Sequence, residues 1–356
     1  MRRILLGSLL LACAGVAMAA PGGVSVRLEA ASQAAAFGSG NVVFTLRNDA
    51  ATTLHVLRWQ TPLDGVTNNL FKVERDGMEV TYTGPLYKRT APTAKDYIEL
   101  APGESLSADV DLSAYYDMSM GGQYAVRYER DADSVLLEAG QAAKAGVAAT
   151  VALDSDSALL WVDGAPAALD SLDAAKTVGA TPGLLAATNS FVGCSNTRKS
   201  QLATARNSAV SYATNAKSYL DAGNTGSRYT WWFGSYTSSR YSTVKSHFTN
   251  IKSALSGQPY TFDCSCTDSG TYAYVYPTQP YRVYLCGAFW SAPNTGTDSR
   301  AGTLVHETSH FNVVAATGDH GYGQTNAHNL ATSKPATAVK NADNHEYFVE
   351  NNPARN

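Results

Sequence analysis

The spacing of apolar residues divides the chain in two. Through the first part they recur at every second position in short runs, among them Val24 to Leu28, Val42 to Leu46, Leu54 to Leu57 and Tyr124 to Tyr128. That period belongs to half-buried strands. Arg75-Asp76-Gly77-Met78 predicts a hairpin turn, because Asp-Gly supplies the left-handed backbone such a turn needs. Several short strands broken by Gly, Pro and Asn predict an all-β domain over residues 20–140, an immunoglobulin-like sandwich. Residues 141–187 are Ala-rich, with Pro182-Gly183 as a breaker, and read as a linker and activation segment open to proteolysis. From residue 188 the period lengthens. Leu202, Ala205, Ala209, Ala213, Ala216 and Leu220 repeat at three and four and mark one amphipathic helix; Tyr241, Val244, Phe248, Ile251 and Leu255 mark a second. His247 lies beside that second stripe and reads as structural. Tyr260 to Leu285, rich in Tyr and Val, reads as a small antiparallel sheet, the candidate to hold a substrate backbone in extended form.

A further helical segment carries the chemistry. His306-Glu307-Thr308-Ser309-His310 spells H-E-x-x-H. Two histidines four apart share a helix face and can bind one metal ion, and the glutamate between them can take a proton from a metal-bound water. Asp298 is placed to cap this helix, whose inner face is Ala301, Leu304, Val305 and Thr308. A catalytic zinc site needs a third protein ligand and a fourth position left to water. The metzincin pattern fails, since Val313 and Ala316 stand where it wants Gly and His. The chain continues instead as Thr317-Gly318-Asp319-His320-Gly321-Tyr322-Gly323, which offers Asp319 or His320 as the third ligand.

These residues resemble the aspzincin metalloendopeptidases, which include deuterolysins and peptidyl-Lys metalloendopeptidases. Their pattern is H-E-x-x-H followed by G-T-x-D-x-x-Y-G. Here Thr317-Gly318 reverses the usual order, while Asp319 and Tyr322 keep register. The likeness covers residues 188–356 and is nearest the peptidyl-Lys branch, through strings such as Arg228 to Tyr236, Tyr272 to Pro277, Tyr284 to Trp290 and Asn341 to Phe348. It implies a mainly helical, α+β zincin-like catalytic domain holding one zinc ion on His306, His310 and Asp319, with His320 a neighbour. It also implies Glu307 as general base, Tyr322 as hydrogen-bond donor to the developing oxyanion, and cleavage on the amino side of lysine. The family's lysine-binding acids match Asp343 and Glu346, which would share a face if that segment is helical.

Targeting and charge extend the picture. Arg2 and Arg3, an apolar run from Ile4 to Ala12 and Ala17-Met18-Ala19 predict a signal peptide over 1–19 and a secreted product. No later stretch is long and apolar enough to be a transmembrane helix. Cys13 leaves with the signal, so Cys194, Cys264, Cys266 and Cys286 remain, an even number suited to two disulfides. Cys264 and Cys266 are too close to bond each other; spacing leaves open which reaches Cys194 and which Cys286, and the family resemblance implies Cys194–Cys264 with Cys266–Cys286. From Thr188 onward there are 13 basic and 9 acidic residues, whereas the part before it is acidic. An acidic β-domain against a basic catalytic domain suits a matched pro-domain, acting as intramolecular inhibitor or folding aid. Neither half has the basic stripe of a nucleic-acid binder. The expectation is a secreted zinc endopeptidase made as a zymogen and acting on protein substrates. Its rivals are a broader deuterolysin-like peptidase and a secreted binding protein with structural zinc. Lysine-directed cleavage would also make Lys144 and, better placed, Lys176 targets for self-processing; the competing maturation point is Leu184 to Ala187.

Overall fold

Alternation in the first half becomes strands wherever apolar residues can reach a shared interior. The structure is a computed structural model describing residues 23–31, 39–131, 152–163 and 188–356. The expected signal peptide over 1–19, Lys144, Lys176 and the Leu184 to Ala187 stretch lie outside the described residues. In chain order the N-terminal strands are β1 (Val24–Ala30), β2 (Asn41–Asn48), β3 (Leu54–Leu57), β4 (Phe71–Arg75), β5 (Met78–Glu79), β6 (Leu86–Arg89), β7 (Tyr97–Leu100), β8 (Ser105–Asp111), β9 (Gly122–Asp131), β10 (Ala152–Asp154) and β11 (Ala158–Val162). One sheet runs β1-β2-β8; a second is built on β9, which pairs with β4, β10 and β11, with β5 beyond β4; β3 and β7 form a ribbon. Every one of these pairings is antiparallel. The sheets share one core, in which the Phe44 ring lies 5.1 Å from Tyr128. The predicted hairpin joins β4 to β5 with Arg75 opposite Met78, and Asp76 and Gly77 take φ of 53° and 75°. Two left-handed central residues match the right-handed twist of the flanking strands.

The linker expected over 141–187 contains two strands. In β11, Ala158, Leu160 and Val162 alternate inward into the N-terminal core, so residues 152–163 belong to that domain. The sequence shows no period of two there, since Ala158 to Val162 are all apolar; only burial alternates, with Leu159 and Trp161 exposed, so the strand has no alternating signature in an Ala-rich stretch.

The second half is built of α1 (Asn196–Asp221), α2 (Ser227–Phe233), α3 (Ser238–Gly257), α4 (Gly287–Ser291), α5 (Arg300–His310), α6 (Gly323–Ser333), α7 (Pro335–Ala338) and α8 (Ala342–Glu350). The apolar stripes read from the sequence on α1 and α3 are buried against the common core. The sheet contains β12 (Ser190–Val192), β13 (Thr261–Asp263), β14 (Thr271–Val275) and β15 (Arg282–Leu285), ordered β12-β13-β15-β14-β6. It is mixed, which corrects the antiparallel expectation: β13 pairs in parallel with both β12 and β15, and only β14 runs antiparallel to β15. The chain passes from β13 to β14 and returns as β15 into the slot beside β13. Two reversals bring it back parallel, and alternation alone carries no strand direction. Disulfides Cys194–Cys264 and Cys266–Cys286 tie this sheet to the segments before and after it.

The last member of that sheet comes from the other domain. β6 lies along the edge of β14, antiparallel, with Tyr87 opposite Tyr274 and Lys88 opposite Ala273. Tyr87, Tyr274 and Tyr284 stack in succession, with centroids 4.6 and 4.5 Å apart.

Candidate active site

α5 is buried along all of Ala301–His310, so its polar side chains have no recourse to bulk water. Ser299 caps it, accepting from the Gly302 N–H at 2.9 Å; this corrects Asp298 as the expected cap. Asp298 sits one residue too early, in the left-handed region at φ 51°, and its carboxylate faces elsewhere.

His306 and His310 lie one turn apart with ring centroids separated by 4.8 Å. The Thr317–Gly323 loop folds back over them. Gly318 exchanges backbone hydrogen bonds with Lys340 and Ala342, and the Asn341 side chain accepts from the His320 and Gly321 N–H groups. This fixes Asp319 with its Oδ1 3.2 Å from His306 Nε2 and 3.4 Å from His310 Nε2. The far nitrogen of His310 meets the Thr317 carbonyl at 2.9 Å, which orients the ring. His306 Nε2, His310 Nε2 and both Asp319 oxygens are buried and make no aligned hydrogen bond. Two imidazole nitrogens and a carboxylate converging without partners are a donor set suited to zinc. Among the described residues a second cluster, His306 with Asp343 and Glu346, also has metal-like spacing. It uses the opposite nitrogen of His306, at 2.9 and 3.2 Å from the two carboxylates, and a cation already occupies it. Asp343 and Glu346 therefore also orient the His306 ring. His320 is in neither cluster.

Glu307 is fully buried and both its oxygens lack hydrogen-bond partners. Burial pushes its carboxyl up to about 7, against the pull of the neighbouring histidines. A carboxylate tuned toward neutrality is suited to accept a proton and return it.

The occupying cation is Lys88 of β6. Its side chain is 1% exposed, and Nζ lies 2.7 Å from Glu346, 3.4 Å from Asp298 and 3.8 Å from Asp343. Tyr272 presents its ring face at 4.9 Å. Burial alone would lower the ammonium's affinity for its proton, but Glu346, Asp343 and Asp298 outweigh that and hold it well above the usual lysine range. Burial also pushes both helix carboxyls up; Lys88 and His306 bring Asp343 below its ordinary value, while Glu346 stays raised. The carbonyl just before this lysine, that of Tyr87, accepts a hydrogen bond of 2.8 Å from the Tyr322 hydroxyl. Asn68 of the β-domain adds a contact to the Asp319 carbonyl at 2.9 Å.

Asp343 and Glu346 share the face of α8 turned to this pocket, whereas Asn344 and His345 turn inward. Asn344 donates to the Trp232 and Ala327 carbonyls, and His345 Nδ1 to that of Asn341. His247 meets His345 Nε2 at 3.0 Å, a structural position as expected. Three participants escaped the sequence reading: Asp298, Lys88 and Tyr272. Lys88 carried no legible signal: it stands beside Arg89 after Leu86-Tyr87, and nothing in the sequence pairs it with residues more than two hundred positions away.

Comparison with known proteins gives the same class. A family model described as lysine-specific metallo-endopeptidase, of aspzincin type, matches residues 218–350. An extracellular protease of Aeromonas hydrophila is 49% identical over 88% of this chain and 89% of its own. Peptidyl-Lys metalloendopeptidases of Armillaria mellea and Grifola frondosa are 36% and 40% identical, covering 97% and 89% of this chain and 96% and 86% of theirs. At that identity over nearly the whole length, the chain belongs to the aspzincin family of zinc-dependent metalloendopeptidases.

Proposed function

We propose that this is a secreted, lysine-directed endopeptidase made as a zymogen, in which the β-domain fills the substrate cleft of its own catalytic domain. The observation that carries the reading is Lys88, buried on Glu346 and Asp343 with the preceding carbonyl on Tyr322. An ammonium with three donors fits a pocket of convergent carboxylates, and an extended segment on the β14 edge is the usual way a peptide backbone is held. His306, His310 and Asp319 would hold one zinc ion, which when bound polarises the scissile carbonyl and activates a water. Glu307 would take a proton from the attacking water and pass it to the leaving nitrogen. Tyr322 donates to the carbonyl oxygen as negative charge develops there. Asp343 and Glu346 receive the lysine that comes after the scissile bond. We read the β-domain as an immunoglobulin-like sandwich, supported by its antiparallel sheets around one core. Export is supported by the N-terminal leader pattern and by the extracellular relative.

The test is direct. The matured enzyme is incubated with a denatured protein, with and without a chelator, and the new N-termini are sequenced. Chelator-sensitive cleavage yielding N-terminal lysine is expected; cuts indifferent to lysine would leave a broader, deuterolysin-like peptidase.

A further inference from the structure

We infer that the Tyr87–Lys88 peptide bond is itself a substrate of this active site, cut within the intact precursor and held closed afterwards. The inference rests on the lysine-directed reading of the pocket. A segment that merely blocked a cleft could lie in any register. This one lies in the register of a substrate: backbone extended along β14, Lys88 in the acidic pocket, and the Tyr322 hydroxyl on the carbonyl of the bond just before that lysine. The group polarised and the residue recognised thus belong to one peptide bond.

Hydrolysis there is a complete step. The oxygen of a water bonds to the Tyr87 carbonyl carbon, and the bond from that carbon to the Lys88 nitrogen breaks. Both water protons end on that nitrogen, the first relayed by Glu307, leaving a carboxylate on Tyr87 and an ammonium at Lys88. Nothing besides water is consumed.

Neither new end is free to leave. On one side Leu86 is buried in the β-domain core, and the Pro85 carbonyl accepts from the Tyr82 hydroxyl at 2.9 Å. On the other, Arg89 lies over the Trp59 ring at 4.9 Å, and both the N–H and hydroxyl of Thr90 donate to the Gly270 carbonyl. Ends held in reacting distance reach effective concentrations on the order of 10⁵ M or more, so the amide re-forms readily. Cut and uncut forms then coexist in a closed complex, and opening the cleft requires removing the β-domain itself. Because Lys88 is buried, a second enzyme molecule cannot reach the bond, and the cut is made within one chain.

The experiment uses the full chain, loaded with zinc, as wild type, Glu307→Gln and Lys88→Gln. In wild type, mass and N-terminal sequencing under denaturing conditions should find a fraction beginning Lys88-Arg89-Thr90. It should form at a rate independent of protein concentration, and its two pieces should co-elute natively and part in denaturant. Glu307→Gln keeps every contact of Lys88 and should slow the cut at least about 100-fold. Lys88→Gln should not be cut there and should gain cleavage of an added lysine peptide. If Lys88→Gln fails to fold, the pair of wild type and Glu307→Gln decides alone. A wild-type bond that stays intact while the matured enzyme cuts before lysine elsewhere overturns the inference and leaves the lysine-directed reading standing. Absence of any cleavage before lysine, in precursor and matured enzyme alike, removes that reading and the inference together.

Discussion

The two halves of the molecule treat charge differently. Among the described residues, the β-domain keeps its charged groups outside its core, with Lys88 as its one buried charge. The helical half buries Asp263, Glu307, Asp319, Asp343, Glu346, Glu350 and Arg228 together with three histidines. Each buried ion costs several kcal/mol of lost hydration, so such groups persist only where partners or a bound cation offset the loss. The β-domain is therefore a scaffold that folds on apolar packing, whereas the catalytic half spends stability on a polar centre. Lys88 belongs chemically to that second centre, although its backbone belongs to the first domain.

The contrast between the halves is greatest at the polar core. Glu307→Gln in the matured enzyme should lower hydrolysis by about 10²- to 10⁴-fold while bound metal stays stoichiometric, because only the proton carrier is lost. Metal analysis extends this test: Asp319→Ala should lose zinc and His320→Ala should retain it. The reverse order would put the third ligand on the wrong residue.

Removing the acidic pocket comes next. Asp343→Ala with Glu346→Ala leaves Lys88 buried without its principal counter-charge, a loss of about 3–5 kcal/mol. Hydrogen exchange in β6 of the full chain should accelerate, since the strand no longer docks. In the matured double variant, cleavage before lysine should fall far more than cleavage elsewhere. Retained protection of β6 with retained lysine preference would show that these carboxylates serve only to orient His306.

Much of this was readable in the sequence where local pattern suffices. The strands at Val24, Val42 and Tyr124, the Asp76-Gly77 turn and the stripes on α1 and α3 are periodicities within a few residues, and the structure has them. H-E-x-x-H places two histidines on one face by helix geometry alone, and Asp343 and Glu346 obey the same rule on α8. The remainder depends on contacts between distant segments. The parallel β13–β15 pairing, the addition of β6 to the catalytic sheet and the arrival of Lys88 in the pocket have no local signature. Asp298 shows the same limit: as an acid just ahead of a helix it reads as a cap, but its left-handed backbone hands the cap to Ser299.

The interior histidine of α8 gives a smaller, pH-dependent effect. Burial holds His345 down to about 3, helped by His247 beside it and opposed by its Nδ1–H bond to the Asn341 carbonyl. A histidine depressed in the folded state contributes stability that is present above its ordinary value of 6.5 and lost as pH falls toward the folded value. At pH 5 that loss is about 2 kcal/mol. Glu350, pushed up to about 9 by burial and Glu346, acts in the opposite direction as pH falls. The clean measurement is therefore a difference: urea unfolding at pH 7 and pH 5 of wild type and His345→Gln. The variant should lose less stability than wild type between the two pH values, and parallel profiles would mean that His345 does not titrate on unfolding.

The smallest effect separates the pocket's rim from its floor. Asp298 and Glu346 both approach Lys88, at 3.4 and 2.7 Å, but the Asp298 side chain is 40% exposed and that of Glu346 is not exposed at all. Water and salt screen the first pair and reach the second poorly, so Asp298 is worth about 0–1 kcal/mol where the inner pair is worth several. Asp298→Asn keeps an oxygen able to accept from the Tyr347 hydroxyl, a bond of 2.8 Å, so the change removes charge with little loss of shape. In the matured variant, kcat/KM for a lysine peptide should drop by no more than about five-fold, carried by KM, and the difference should shrink as salt is raised. A loss comparable with that of Asp343→Ala and Glu346→Ala, and indifferent to salt, would show that Asp298 becomes desolvated once substrate is bound.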